Sequence, residues 1–402
     1  MTLHSDSSPI FHLDANLEGI NTKQYTFSDT KYVIKNYNRD YVCDDDTFLR
    51  RFKTVITDEN DNVLCIGPSK SVSYDYFVNN NVVDDSIEIT RCVEGTMINM
   101  FYNHTTAQWI IATRSAIGGQ YFYFRNQYYC DKFSDKAQQS FYDMFMDALQ
   151  AGEKENLNDL KIMELFNKDY CYSFVLQHPD NHIVISTDHA KLYIVGIHKI
   201  INNNSFLIVD KSEYHNFDFV KTLSGIIDVP EIFDNCETFD KIKEKYASLQ
   251  DDYRNMGIMI YNKLTGIRTK VLCDSYINMK LLRGNNPNIQ YQYICLRRTN
   301  KVKEFLEYFP QYKKLFFKFY ENYKNFMKGV HQSYFKHYIK KNPDRISNKY
   351  MPHIYRIHQE CFVPYMMKGE RKVIKIDDVY KYFDNRNVGE ILYALNYDNR
   401  TS

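Results

Sequence analysis

The 402-residue chain has no Cys-x-x-Cys pair; its nine cysteines (Cys43, Cys65, Cys92, Cys130, Cys171, Cys236, Cys273, Cys295 and Cys361) stand singly at irregular spacing. That pattern predicts reduced thiols in a reducing compartment and no structural zinc site. Long apolar runs are missing too: nothing approaches the roughly 18 residues of a membrane span. The first residues, MTLHSDSSPIFHLD, have neither a basic start nor an apolar stretch. The expectation is an intracellular, soluble protein with no membrane partner. Charge of one sign is absent as well, with 51 Lys plus Arg against 50 Asp plus Glu. Any affinity for nucleic acid must therefore come from local patches. Gly (14) and Pro (9) are scarce beside Tyr (35) and Phe (27), a coding bias that says little about chemistry. No internal repeat or low-complexity linker is visible.

What is present is length enough for two or three domains and a change of period along the chain. From about residue 48 to 300, short strands alternate with polar turns. KTVITDENDNVLCIG reads as a hairpin about an Asp/Glu/Asn turn, TMINMFYNHTTAQWIIATRS as a second, and GIMIYNKLTGIRTKVLCD as a third turning at Leu-Thr-Gly. CYSFVLQ and LYIVGIHKI read as buried strands. SDKAQQSFYDMFMDALQAG reads as a helix with Ser134 as N-cap and Gly152 as stop, and TFDKIKEKYASLQDD as an amphipathic helix. The order is α+β with mainly antiparallel pairing. After about residue 297 aromatic residues recur every three or four positions, with a break at Pro310. Three segments are expected: 1–47, a lead segment packing on the core; 48–296, the strand-rich domain; and 297–402, a helical, basic C-terminal domain.

Chemistry concentrates in a few places. Between Arg297 and Lys341 there are 12 Lys or Arg against 3 Asp or Glu, a basic helical stretch suited to phosphate backbones or simply to solvent. Its aromatic residues at helical spacing suit a core better than base stacking. His178 and His182 in HPDNH are separated by a turn, so they are not expected to form a metal pair; no metal ligands are assigned.

Several segments in order, over roughly residues 48 to 297, resemble the covalent nucleotidyltransferase family, in particular the phage-type RNA ligase branch and the RNA-ligase-like proteins of large DNA viruses. The family's Lys-x-Asp-Gly motif, whose lysine attacks the α-phosphate of ATP, has its counterpart in Cys92-Val93-Glu94-Gly95. WIIATRSAIGG resembles the next strand and basic loop. YCYSFVLQHPDNHIVI resembles the segment of the acidic ribose contact, with Val175 and Gln177 where a carboxylate is sought. RNMGIMIYNKLTGIRTKVLC resembles the last nucleotide motifs, with Met256 before Gly257, Lys270 retained and Leu272 in the second lysine position. LLRGNNPNIQYQYICLRR matches the viral branch.

The resemblance implies an antiparallel nucleotidyltransferase (ATP-grasp-like adenylation) domain followed by an all-helical C-terminal domain. It implies ATP and Mg as cofactors, and RNA, including tRNA-like RNA, as partner. It also implies other viral proteins as partners, and a place in the host cytoplasm or viral factory, with packaging in the virion. Glu94, Gly95, Lys53, Arg114 and Lys270 fall at nucleotide-binding positions, and Lys70, Arg283, Arg297, Arg298, Lys313 and Lys314 at RNA-binding ones. Where the motif needs an amine whose lowered pKa lets it attack, Cys92 stands instead. A reactive thiolate there would need cations such as Arg91 and Arg114; a small buried hydrophobe needs none. The pattern leads to an inactive relative that holds RNA ends. The alternatives are an active ligase using Lys70 or Lys53 and a structural or partner-binding viral protein.

Overall fold

The computed structural model describes residues 9–13, 18–121, 139–152, 155–248, 252–284, 286 and 288–401. The chain divides into two compact units at Leu281/Leu282. The first is built on three sheets. The largest contains β1 (Ile10–His12), β7 (Thr96–Asn103), β8 (Gln108–Ala112), β9 (Tyr170–Gln177), β10 (Lys191–Asn202), β11 (Ser205–Ile208) and β12 (Ile227–Asp228). Its order is β1-β11-β10-β9-β7-β8, antiparallel throughout, with β12 beside β10 in parallel. A second sheet orders β13 (Ile232–Phe233), β6 (Ile87–Arg91), β14 (Gly257–Asn262) and β15 (Arg268–Leu272), and a third orders β2 (Ile20–Phe27), β3 (Thr30–Tyr37), β4 (Val55–Thr57) and β5 (Val63–Ile66). The three expected hairpins are β4-β5, β7-β8 and β14-β15.

Strand β9 explains why its sequence is almost continuously apolar: both of its faces are covered. Tyr172, Phe174 and Leu176 point into one core, shared with Trp109, Phe166 and Phe219. The other face carries Cys171, which joins the core under β2-β5, then Ser173, then Val175, which lines a cleft. The alternation of a strand thus carries one face of β9 from dry core to open site.

Among the described residues its short α-helices are α1 (Tyr74–Asn79), α2 (Phe141–Ala148), α3 (Asp218–Thr222), α4 (Phe239–Tyr246) and α5 (Asp274–Arg283), the last extending two residues past Leu281. Helix α2 starts later than its sequence suggests. Ser134 lies outside the described residues, and Ser140 caps the helix: its Oγ accepts from the Asp143 N–H, while Asp143 accepts from the Ser140 N–H at 2.8 Å. It also ends sooner than Gly152, because Gln150 takes φ of 58°.

The second unit is helical: α6 (Ile289–Arg298), α7 (Val302–Tyr308), α8 (Lys313–Tyr334), α9 (Met351–Ile357), α10 (Val363–Met367), α11 (Ile376–Asp384), α12 (Val388–Leu395) and α13 (Tyr397–Thr401). The α+β order expected from the sequence, antiparallel sheets followed by helices, is the one observed. Pro310 opens a tight turn before α8 rather than kinking a continuous helix. Along α8, Phe316, Phe319, Tyr323, Phe326, Val330 and Tyr334 are buried at three- and four-residue spacing. Phe326 meets Phe383 edge-on at 5.6 Å, so the aromatic repeat is core. Among the described residues no helix is long and apolar enough to cross a membrane.

Candidate functional site

Residues Cys92 to Gly95 form the crossover from β6, in the second sheet, to β7, in the first. The Cys92 N–H donates to the Gly257 carbonyl at 2.8 Å, tying the crossover to the start of β14. Both glycines here are required by close approach. A Cβ on Gly95 would lie 2.4 Å from the Leu176 oxygen, and one on Gly257, where φ is +116°, would lie 2.1 Å from the Val271 oxygen.

Beside the crossover is an open cleft. Thr90, Met259 and Lys270 are partners in register across β6, β14 and β15, and Met97 and Val175 across β7 and β9; both rows line it, with Cys92, Val93, Val195 and Pro230. Its cations are Lys53, Arg91, Lys211, Arg268 and Lys270, and its lining includes no Asp or Glu among the described residues. Arg91 is paired with Glu231, its Nε 2.9 Å from the carboxylate, and Lys211 with Glu88 at 2.9 Å. The buried Arg268 donates to the Ser69 carbonyl at 2.7 Å and the Pro68 carbonyl at 3.4 Å, which engages two of its nitrogens without neutralising its charge. Lys53 and Lys270 have no carboxylate partner among the described residues.

These surroundings act on the titratable groups. Burial lowers the Arg268 guanidinium to about 10. Desolvation, followed by repulsion from Arg268, Lys270, Arg114 and Lys70, holds the half-buried Lys53 ammonium well below the lysine range. Lys270 keeps part of its surface in solvent, yet the crowded cleft walls and Arg268 lower it as well. Burial pushes the Cys92 thiol up, against the pull of Lys270, Arg268 and Lys211. It is therefore a protonated, 7% exposed core thiol rather than a nucleophilic thiolate.

Glu94 faces away from ligand chemistry. Its Oε1 accepts from the N–H groups of Ile183, Val184 and Ile185 at 2.9, 2.9 and 3.1 Å. Its Oε2 accepts from the Tyr276 hydroxyl at 2.7 Å, and its backbone carbonyl accepts from Gln177 Nε2 at 2.9 Å. The carboxylate is spent on a loop clasp. In that loop His178 Nδ1 accepts from the Asp180 N–H at 3.1 Å, and Nε2 faces Asp147 at 2.9 Å.

Of the nucleotide-site candidates, Lys53, Lys270 and Cys92 come together in the cleft. Arg114 is tied to Lys53 through Asn36, whose Nδ2 donates to both backbone carbonyls at 2.8 and 3.0 Å; its guanidinium lies 4.8 Å from the Tyr37 ring centroid. Lys70 lines a different cleft with Arg50 and Arg51, where burial and Arg50 lower its pKa against the pull of Asp44. In the helical unit, Arg297 lies 4.2 Å from the Tyr323 ring centroid and 2.7 Å from Asp384. Arg298 donates to the Phe383 carbonyl at 3.1 Å, and the buried Arg283 to the Tyr312 hydroxyl at 3.0 Å. Lys313 and Lys314 are exposed at the start of α8. Sequence reasoning missed Arg268, although it stands two residues before Lys270 on one strand and so shares its face. It missed Lys211 for lack of any local signal.

The donor set suits phosphate oxygens. It does not suit a divalent cation, which would look for carboxylates in a cleft that has none among the described residues.

No protein-family model matches the chain. It is similar to an immediate-early protein ICP-46 homolog of Invertebrate iridescent virus 6, with 24% identity over 275 residues, 65% of this chain and 55% of the relative. The chain thus spans about half the length of the curated relative it matches. Structural neighbours are ATP-dependent RNA ligases. Two forms of an archaeal enzyme give TM-scores of 0.41 and 0.40 at 10% and 11% identity, covering 77% and 91% of this chain and 77% and 82% of theirs. A Naegleria gruberi RNA ligase mutant with ATP and Mn gives 0.33 at 11% identity, covering 48% of this chain and 51% of that one.

Proposed function

We propose that this is an RNA-ligase-like protein that binds RNA ends, including tRNA-like RNA, and does not seal them. The observation that carries the reading is the protonated, buried Cys92 thiol where an attacking amine would stand. The engaged Glu94 carboxylate adds to it. The cationic cleft and exposed Lys313 and Lys314 supply phosphate contacts. The test is incubation with ATP labelled at the α-phosphate, followed by denaturation, alongside RNA binding across a salt series. The reading expects no covalent adduct and an affinity that falls steeply with salt; a stable adduct, or no RNA binding at low salt, overturns it.

One observation favours a second reading, an active ligase. Lys53 lines the same cleft and is held well below the lysine range, and a neutral amine is what attack on a phosphorus requires. An adduct lost in Lys53→Met would establish it. A third reading, a structural protein, would be favoured by co-purification with protein and not RNA. From the viral relative we extend the proposal to the host cytoplasm or viral factory and to virion packaging with other viral proteins, tested by fractionating purified particles.

A further inference from the structure

The cleft beside Cys92 has an unusual charge balance. Two of its five cations, Arg91 and Lys211, are matched by Glu231 and Glu88. The other three, Lys53, Arg268 and Lys270, have no carboxylate partner among the described residues. Uncompensated charges crowded into a partly desolvated space repel one another and stabilise any anion that enters. Met97, Val175, Val195 and Met259 supply the apolar wall of the cleft.

A phosphate chain is ordinarily brought to a protein with a divalent cation, which shares the phosphate charge and is itself held by one or two carboxylates. Those carboxylates are not available here. Glu88 and Glu231 are held by Lys211 and Arg91, and Glu94 is surrounded by the amides of residues 183–185 and the Tyr276 hydroxyl. A doubly charged ion would also enter beside three unmatched positive groups. Here the side chains themselves do the neutralising.

We propose that this cleft binds an oligophosphate, free or carried at the 5′ end of an RNA, as the metal-free anion, with Lys53, Arg268 and Lys270 taking the place of the divalent cation. The proposal rests on the reading of the chain as a holder of RNA ends, and it names the chemistry of the end that is held. Binding also takes up protons. Lys53 faces Arg268, Lys270, Arg114 and Lys70, and Lys270 faces Arg268, Cys92 and Lys280. An anion among these groups reverses the repulsion that keeps the two lysines from holding their protons. Affinity therefore falls as pH rises toward the ordinary lysine value of about 10.4.

The test is calorimetric titration of the full chain with inorganic triphosphate, in EDTA and in excess Mg2+. The proposal expects binding in EDTA, weaker binding in Mg2+ because the metal complex carries less negative charge, and proton uptake seen by comparing buffers of different ionisation enthalpy. Lys53→Met and Lys270→Met should each weaken binding by about tenfold or more; both remove an unmatched charge and should leave folding intact, checked by thermal denaturation. A requirement for Mg2+, or unchanged affinity in the two folded variants, overturns it. RNA oligonucleotides with 5′-triphosphate and 5′-hydroxyl ends form the second arm. Triphosphate binding without RNA binding would keep this proposal and remove the RNA-end function. RNA binding that ignores both the 5′ group and the cleft lysines would do the reverse.

Discussion

Two groups of cations in this molecule have different surroundings. In the helical unit, Arg297 has Asp384 and the Tyr323 ring, Arg298 has a backbone carbonyl, and Arg283 has Tyr312. In the cleft of the β-sheet unit, Lys53, Arg268 and Lys270 have no acidic partner among the described residues. Counting along the sequence makes the helical region the basic one, and it misses the cluster that the cleft gathers from Lys53 and from β15, over 200 residues apart. Local excess of lysine and arginine measures what is available, and partners decide what is left for a ligand.

The largest effect expected in sharpening this contrast lies in the carboxylate withheld from the cleft. Glu94→Ala strands three backbone amides and the Tyr276 hydroxyl, and should cost about 4 kcal/mol in urea denaturation. A loss below about 1 kcal/mol would mean that the clasp is loose and the carboxylate available. Next is Cys92→Lys, which adds a fourth unmatched cation at a 7% exposed position. It should destabilise by about 2 kcal/mol and give no adduct with α-labelled ATP; a robust adduct would show that the cleft needs only its amine back.

Lys53→Met should do the opposite, stabilising by about 1 kcal/mol. Because the folded-state pKa of Lys53 is lowered, the unfolded chain binds the proton more tightly. Wild-type stability therefore rises with pH between the folded and unfolded values, the latter about 10.4. The variant should lose that slope, read from urea midpoints across pH. The smallest effect separates the two kinds of helical cation. Replacing Lys313 and Lys314 with methionine should reduce the slope of log affinity against log salt by about 0.7 per lost phosphate contact on single-stranded RNA. Arg297→Met should leave that slope alone while costing about 1 kcal/mol of stability.

The sequence is most legible where one face repeats. The hairpins at β4-β5, β7-β8 and β14-β15, the covered strand β9 and the aromatic stripe of α8 follow from period and turn chemistry. The cap of α2 is less so, because both Ser134 and Ser140 suit an N-cap and only the reciprocal bond with Asp143 distinguishes Ser140. The Cys92 position and Lys270 were legible through motif order. The engagement of Glu94 was not, since its partners are backbone amides some ninety residues away and amides carry no residue-type signal. Nor was the pairing that decides which arginines are free, for Asp384 is 87 residues from Arg297.

The bond from Val184 to Glu94 joins positions 90 apart in the chain, so this side chain works as a rivet through the middle of the β-sheet unit. Pulling it out to serve a sugar hydroxyl would open the seam it closes. Exchanging Cys92 for an amine leaves the rivet in place, whereas freeing the Glu94 carboxylate does not. The carboxylate is thus held in its place by folding, whatever side chain stands at position 92.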